Sequence, residues 1–235
     1  ITMLILAIET ASSQAGCAIG GHEGVLASAH SGIQGRHAES ISPQIAFIRE
    51  QAGINYSELG AIAVDVGPGL FTGLRVGIAT AISIAHALTL PVIGISSLDL
   101  LAFPARWTSR LIVTAMDARR GELFTALFRR VPGGIQRVRD ANVCTAEDLA
   151  AEIQTFDEPS LLVGDGALRY AEFFEGLGRV ELAEQGLAHP SARAMVQLAH
   201  ARAMREEFVQ PWDLEPIYLR KPDAEINWSS RNDSK

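Results

Sequence analysis

The sequence contains few cysteines, and no histidine or cysteine pair stands at a metal-binding spacing. Its two cysteines, Cys17 and Cys144, lie far apart, and neither belongs to a C-x-x-C pair. The six histidines are scattered, and none forms H-E-x-x-H or H-x-x-x-H. Because structural zinc sites use closely spaced pairs of such ligands, these absences argue against both a zinc site and a disulfide framework. We therefore predict that no metal is bound.

Basic charge is also scarce. The 235 residues include 20 Lys and Arg against 27 Asp and Glu, which gives a formal net charge of -7. Lys221 and Lys235 are the only lysines, so arginine carries nearly all of the positive charge. An acidic chain of this kind lacks the broad basic surface that would neutralise several phosphates unaided. We expect any contact with nucleic acid to depend on a partner protein.

The sequence shows no targeting or membrane-spanning signal. No charged segment is followed by an apolar run of signal-peptide type, and the longest apolar helical pattern, residues 76–88, is interrupted by Thr80, Ser83 and His86. We therefore expect a soluble, cytoplasmic protein that does not associate with membranes. Ile1 and Thr2 precede Met3, the expected natural start, and are left out of the fold prediction.

Hydrophobic residues make up 48% of the chain, enough to form one large or two small domains. Short apolar runs predict strands at residues 3–8, 15–19, 25–29, 61–66 and 91–95, and helical spacing predicts helices after the third and fourth strands. Pro43 permits either a helix that starts near Ser42 or a longer one. The order β-β-β-α-β-α-β predicts an α/β domain at residues 3–103, with a mixed five-stranded sheet flanked by helices.

The second half repeats this pattern in a reduced form. Residues 111–116 and 122–128 predict a hairpin, Thr145 and Asp148 mark a helix start, and residues 161–163 predict a strand that ends at Gly164-Asp165-Gly166. A late helix is expected at residues 192–207. We assign residues 104–225 to a second domain of related topology and residues 226–235 to a flexible tail.

The stretch around Gly67-Pro68-Gly69 connects a strand directly to a helix. The glycines permit close approach of the backbone, Thr72 offers a hydroxyl, and Arg75 lies in the first helical turn. Together with Glu9 and Thr10, at the end of the first strand, this corner could hold an anion. The alternative is an ordinary turn in which glycines allow tight packing, since the lysine of a P-loop is missing. The candidate corner residues are Glu9, Thr10, Gly67, Gly69, Thr72, Gly73 and Arg75.

The helix after this corner has two uncharged faces. One face carries the large residues Leu74, Ile78, Ile82, Ala85 and Leu88, as expected of a helix that covers a sheet. The other face is small, and we expect it to be covered by another helix of the same chain or of a partner. Its residues are Thr72, Val76, Ala79, Thr80, Ser83 and Ala87.

A charged hairpin tip follows in the second half. Asp117, Arg119 and Arg120 could place a carboxylate and guanidinium groups at a cleft, or could form a solvated turn. The sequence around Ser96 lacks the final glycine of a nucleophile elbow, so we interpret this serine as a loop hydroxyl.

Several of these motifs together resemble the TsaB (YeaZ) family. They are Met3-Leu4-Ile5-Leu6-Ala7-Ile8-Glu9-Thr10, Gly35-Arg36-His37-Ala38-Glu39, the stretch from Gly67 to Gly77, Asp117-Ala118-Arg119-Arg120-Gly121-Glu122 and Pro216-Ile217-Tyr218-Leu219-Arg220. The resemblance implies an actin, Hsp70 and sugar-kinase type (ribonuclease H-like) fold with two related domains. It also implies a role in making the threonylcarbamoyl group on adenosine 37 (t6A) of ANN-decoding tRNAs, as a non-catalytic partner of the larger paralogue TsaD together with the ATPase TsaE.

The same resemblance implies that pairing with the paralogue, or with a second copy, uses the helices at residues 37–52 and 72–89. The candidate interface is therefore the small helix face described above together with Ile41, Ile45 and Ile48. The catalytic paralogue carries a His-x-x-x-His metal pair where this chain has Ser97 and Leu101. Leu70 and Glu9 stand where family members often have Ser and Asp, which argues against ATP binding by the chain alone. A nucleotide is expected, if anywhere, in the complex.

Three functions follow from these patterns. The first is a scaffold subunit that contacts tRNA only through the complex. The second is a self-sufficient phosphotransferase or peptidase-like enzyme that uses Glu9, Thr10, Asp117 and the corner. The third is direct tRNA binding by a local patch of Arg119, Arg120, Arg129 and Arg130, which the net charge of -7 disfavours.

Overall fold

The first half of the chain forms one mixed five-stranded sheet. A computed structural model describes residues 3–32 and 35–220. The strands are β1 (Leu4–Glu9), β2 (Ala15–Gly21), β3 (Gly24–Ser31), β4 (Leu59–Gly67) and β5 (Val92–Ser96), in the spatial order β3-β2-β1-β4-β5. The three N-terminal strands are antiparallel, whereas β1, β4 and β5 run parallel. The predicted order of elements is confirmed for this half.

Two crossover helices link the parallel strands: α1 (His37–Ala52) and α2 (Phe71–Leu88). Pro43 lies inside α1, so the longer of the two predicted helices is correct, and Gly53 ends it in a left-handed conformation with φ of 65°. The apolar side of each helix packs on the face of the sheet that carries Leu6, Ile8 and Val64. Central strand β1 is buried on both faces, which explains its unbroken apolar sequence.

The second sheet has the same topology as the first. Its strands are β6 (Leu111–Arg119), β7 (Glu122–Val131), β8 (Gly134–Thr145), β9 (Ser160–Val163) and β10 (Val180–Leu182), ordered β8-β7-β6-β9-β10. Helix α4 (Ala146–Gln154) occupies the place of α1, whereas α5 (Asp165–Arg169), in the place of the long α2, has only five residues. The sequence did not predict β8 or β10, because β8 alternates partly buried residues with exposed ones and β10 has only three residues.

Two helices connect the halves. Helix α3 (Ser97–Ala102) follows β5, and its Leu98 and Leu101 pack with the second sheet. Helix α6 (Ala192–Ala203) packs instead on the first sheet, where Met195 and Val196 contact the face that carries Ile5 and Ala7. The strands of the two sheets lie on either side of residue 104, whereas α6, which the sequence prediction assigned to the second domain, covers apolar surface of the first sheet. The tail predicted at residues 226–235 lies outside the described residues.

Helix α2 is long and apolar enough, by length and composition, to cross a membrane. Its Leu74, Ala81 and Ala85 are nevertheless buried against the sheet. The described residues therefore place it as a covering helix of the first sheet.

Candidate functional site: the glycine corner and the cleft beside it

The glycine corner lies where β4 ends and α2 begins. The Asp65 carboxylate accepts a hydrogen bond from the Gly67 backbone N–H at 2.8 Å, and Gly67 has φ of 103°, a conformation that favours glycine. The carbonyl of Val66 accepts a hydrogen bond from the N–H of Ile217 at 2.7 Å. The end of β4 is therefore held from two sides, by its own carboxylate and by a segment close to the end of the described chain.

The corner glycines permit close packing against the loop that follows β1. A Cβ atom at Gly69 would lie 2.3 Å from the carbonyl oxygen of Ala11, and one at Gly73 would lie 2.1 Å from that of Thr10. At Gly77 the corresponding distance to the Thr10 hydroxyl is 2.2 Å. These contacts leave no room for a side chain, and they support the packing interpretation of the corner.

Several polar groups of the corner are engaged within the chain. The Thr10 hydroxyl donates to the carbonyl of Gly73 at 2.8 Å, and the Leu70 N–H donates to the carbonyl of Ala11 at 2.7 Å. The Arg75 guanidinium lies over the Phe71 ring, 3.8 Å from its centroid. Thr72 is exposed and lines the adjoining cavities. The donors of Thr10 and Leu70 are therefore used within the chain, whereas the Thr72 hydroxyl is open to the adjoining cavities.

Glu9 and Asp65 form a buried acidic pair at the ends of neighbouring parallel strands. Their exposed fractions are 2% and 1%. Burial raises the pKa of Glu9 well above its usual value, and the charge of Asp65 raises it further. Burial raises the pKa of Asp65 to about 7, although hydrogen bonds from Ser97 and Gly67 lower it. The Ser97 hydroxyl donates to Asp65 Oδ1 at 2.6 Å, whereas the buried Oδ2 has no partner among the described residues.

The corner faces the hairpin tip of the second sheet across a cavity of about 290 Å³. Residues 68–72 line one side, Asp117, Arg119 and Phe124 line the other, and residues 217–220 complete the wall. The structure therefore brings together the two regions that the sequence marked separately, the corner and the predicted cleft residues Asp117 and Arg119. Sequence reasoning gave no ligand role to Asp65 or to residues 217–220; the latter appeared only within a family motif.

Arginines surround the cleft carboxylate. Asp117 is nearly buried, with 7% of its side chain exposed, and it pairs with Arg169 at 3.2 Å and with Arg119 at 3.9 Å. Arg119 and Arg120 both have positive φ, 67° and 57°, so the tip is a tight turn without the usual Asn-Gly. The Arg220 guanidinium donates to Glu122 at 2.8 Å and connects residues 217–220 to this hairpin.

The four arginines predicted as a patch do not lie together. Arg119 and Arg120 are at the β6–β7 turn, whereas Arg129 and Arg130 are at the opposite end of β7. Since a strand rises about 3.3 Å per residue, the two pairs are roughly 25 Å apart. Arg129 is also paired with Glu158 through two hydrogen bonds of 2.7 and 2.6 Å. The predicted patch is therefore wrong.

The predicted interface residues on α2 and those on α1 lie in different environments. On α2, Thr72, Ala79, Ser83 and Ala87 are exposed, with Val76 and Thr80 half-buried beside them, so the small face lies on the surface. On α1, Ile41, Ile45 and Ile48 are at most 4% exposed and belong to the core. Their assignment to an interface is wrong, because their face of α1 covers the sheet. The outward residues of α1 include Pro43, Ala46 and Phe47.

Ser97 and Leu101, which the resemblance matches to the metal pair of the paralogue, are both buried. Ser97 is hydrogen-bonded to Asp65, and Leu101 packs in the core beneath the second sheet. Within residues 3–32 and 35–220, no three His, Cys, Asp or Glu side chains are grouped so that they could hold a metal ion.

Two sheets of identical strand order, joined by helices and facing one another across a cleft, define the fold class. The ethanolamine utilization protein EutJ from Carboxydothermus hydrogenoformans shares this fold, with a TM-score of 0.52 at 12% identity over 84% of this chain and 89% of that chain. The protein has the two-domain fold of the actin, Hsp70 and sugar-kinase class.

Sequence and structure comparisons define the family. The family model "TsaD: tRNA N6-adenosine threonylcarbamoyltransferase" matches residues 31–228. The tRNA threonylcarbamoyladenosine biosynthesis protein TsaB of Escherichia coli is 30% identical over 93% of this chain and 95% of that protein, and the Bacillus subtilis TsaB is 29% identical over 96% and 98%. YeaZ from Pseudomonas aeruginosa superposes with a TM-score of 0.82 at 27% identity, over 92% of this chain and all of that chain. The chain belongs to the TsaB (YeaZ) family.

Proposed function

We propose that this chain is a cytoplasmic, non-catalytic subunit required for t6A formation on tRNA, and that it binds a TsaD-like transferase and works with a TsaE-like ATPase. The observation that carries the proposal is the exposed small face of α2, Thr72, Ala79, Ser83 and Ala87, whose four side chains are uncharged and which has Arg75 at its edge. The relatives named TsaB support the pathway. In the absence of the paralogue, the same face can pair two copies of the chain.

The exposed part of α1 extends this surface. Phe47 is 53% exposed, and α1 packs beside α2 on the same face of the sheet. A large exposed aromatic on α1 and small residues on α2 suit a helix-on-helix interface, since small residues let two helices approach and an aromatic supplies buried area. We therefore replace the three core isoleucines of the sequence prediction by Phe47 as the contribution of α1.

Ala79→Glu tests this interface. Placing a carboxylate on a surface that is desolvated in the complex is expected to weaken binding to the TsaD-like paralogue by about 2–4 kcal/mol. Ala151→Glu is the matched control, because Ala151 is an exposed alanine within helix α4 of the other half. Calorimetric titration of both folded variants with the paralogue makes the measurement. Equal affinities of the two variants for the paralogue would show that the α2 face is not part of the interface.

The alternative is an enzyme that binds a nucleotide without a partner. The engaged donors of the corner, Thr10 and Leu70, argue against it, and so does the buried carboxyl of Glu9. We propose that any nucleotide is held only in the complex. Titration of the isolated chain with Mg-ATP is expected to give no heat of binding. A dissociation constant in the micromolar range or below, lost in Asp117→Asn, would favour the enzyme.

A further inference from the structure

A second surface carries features that the scaffold role does not use. Phe103, Arg106, Trp107, Arg130 and Gln197 line a cavity of about 550 Å³ beside the β7–β8 turn. An adjoining cavity of about 370 Å³ shares Phe103, Arg106 and Gln197 and adds Arg193 of α6. We call these two adjoining cavities the arginine groove.

The arginine groove is basic in an acidic protein. No Asp or Glu lines either cavity, although the chain has 27 of them. Within the described part of the chain, Arg106, Arg130 and Arg193 have no carboxylate within salt-bridge distance, whereas the neighbouring Arg110 and Arg129 pair with Glu181 and Glu158. Three guanidinium groups along one groove, without counter-charges from the protein, make it complementary to a chain of anions.

One aromatic side chain completes the groove. Trp107 is 73% exposed, and the Arg106 guanidinium lies 4.6 Å from its ring centroid. Arg106 is itself fixed over the Phe103 ring at 4.0 Å, and it donates to the Phe103 carbonyl at 3.0 Å and to the Gln197 side chain at 3.3 Å. The indole therefore rests on a held guanidinium while most of its surface stays open to solvent, an arrangement that offers a stacking platform.

We propose that the arginine groove binds a single-stranded segment of RNA, with a base stacked on Trp107 and backbone phosphates beside Arg130 and Arg193. This inference rests on the proposed function, because tRNA is the substrate there, and it adds a direct contact from this subunit to tRNA held by the complex. The combination favours RNA over an acidic peptide, since guanidinium groups beside an exposed indole match phosphates and bases. Duplex RNA lacks the unstacked base that Trp107 would accept.

The test measures the affinity of the full chain, alone and with the paralogue, for a labelled tRNA anticodon stem-loop, for an oligouridylate and for an RNA duplex. Trp107→Ala is expected to weaken binding of the two probes that contain unpaired bases about tenfold or more. Arg130→Gln and Arg193→Gln should each weaken binding and reduce the slope of log affinity against log salt by about 0.7. Fluorescence anisotropy at several salt concentrations gives both quantities.

The controls are matched in chemistry and exposure. Trp212→Ala removes another indole that is 73% exposed, and Arg129→Gln removes the neighbouring arginine that is paired with Glu158. Both should bind RNA like the unchanged protein. If the variants of the arginine groove bind RNA as tightly as these controls do, both alone and in the complex, the proposal is overturned. Equal affinity for the duplex would also overturn it, as would competition by polyglutamate as strong as that by RNA, which would indicate an acidic peptide instead.

The two proposals fail separately. Trp107→Ala should leave the affinity for the paralogue unchanged, because the arginine groove is lined by no residue of α1 or α2. Ala79→Glu should weaken binding to the paralogue without changing the affinity of the isolated chain for RNA. Loss of RNA binding alone in Trp107→Ala supports the groove even if the α2 interface is wrong.

Discussion

At the scale of single residues, the Glu9–Asp65 pair is the least expected feature of the fold. Two carboxyls at the ends of adjacent strands are almost fully buried, and no arginine or lysine is hydrogen-bonded to either within the described residues. Such a pair is stable only if protons are retained, since an unpaired buried charge is costly. The protonation of the pair therefore affects the corner, because Asp65 also accepts the hydrogen bond from the Gly67 N–H at the start of the turn.

Asp65→Asn tests this linkage. The folded-state pKa of Asp65, about 7, lies above its ordinary value of 3.8, so the folded state binds more protons between these values and stability falls as pH rises through this window. The amide keeps the acceptor for Ser97 and Gly67 but carries no charge. We expect Asp65→Asn to gain up to about 4 kcal/mol in the free energy of unfolding at pH 8, and less than half of that at pH 5.

Urea unfolding at the two pH values makes this measurement. Asp213→Asn, at an exposed position, serves as the control and should change little at either pH. A gain in Asp65→Asn that is the same at pH 5 and pH 8 would show that Asp65 does not titrate in this range.

At the scale of elements, the sequence predicted best where one pattern decides the structure. The strands of the first sheet and its two crossover helices could be predicted because apolar runs and helical spacing are strong there, and a glycine ends α1. Strand β8 could not be predicted, because an edge strand that buries little has no apolar run to mark it. Five-residue α5 is too short to give a periodic pattern.

The candidate site was predictable in its parts but not in its assembly. Spacing identified Ile41, Ile45 and Ile48 as one face of α1, yet spacing alone does not say whether the sheet or a partner covers that face. The meeting of the corner with Asp117 depends on the packing of two sheets, which no local pattern records. Trp107 and Arg130 are distant in sequence and come together because the loop before β6 lies beside the end of the antiparallel strand β7.

At the scale of the whole molecule, late parts of the chain pack against the first sheet and complete it. Helix α6 comes from the far end of the described chain and covers the face of the first sheet that α1 and α2 leave open. Residues 217–220 return to the corner and bind the second hairpin through Arg220 and Glu122. The first 103 residues therefore lack one covering layer of their own sheet, and we expect the first sheet to depend on α6 for its stability.

Met195→Ala tests this dependence. Met195 is fully buried between α6 and the first sheet, so its truncation leaves a cavity and should reduce the free energy of unfolding by about 2–5 kcal/mol. Met204→Ala, just beyond the same helix at a side chain that is 71% exposed, should change it by less than about 0.5 kcal/mol.

Hydrogen exchange followed by mass spectrometry then locates the effect. Met195→Ala should speed exchange in β1 and β4 as well as in α6, because these elements share one apolar layer. Faster exchange confined to α6 would mean that the helix opens independently and that the first sheet is stable without it.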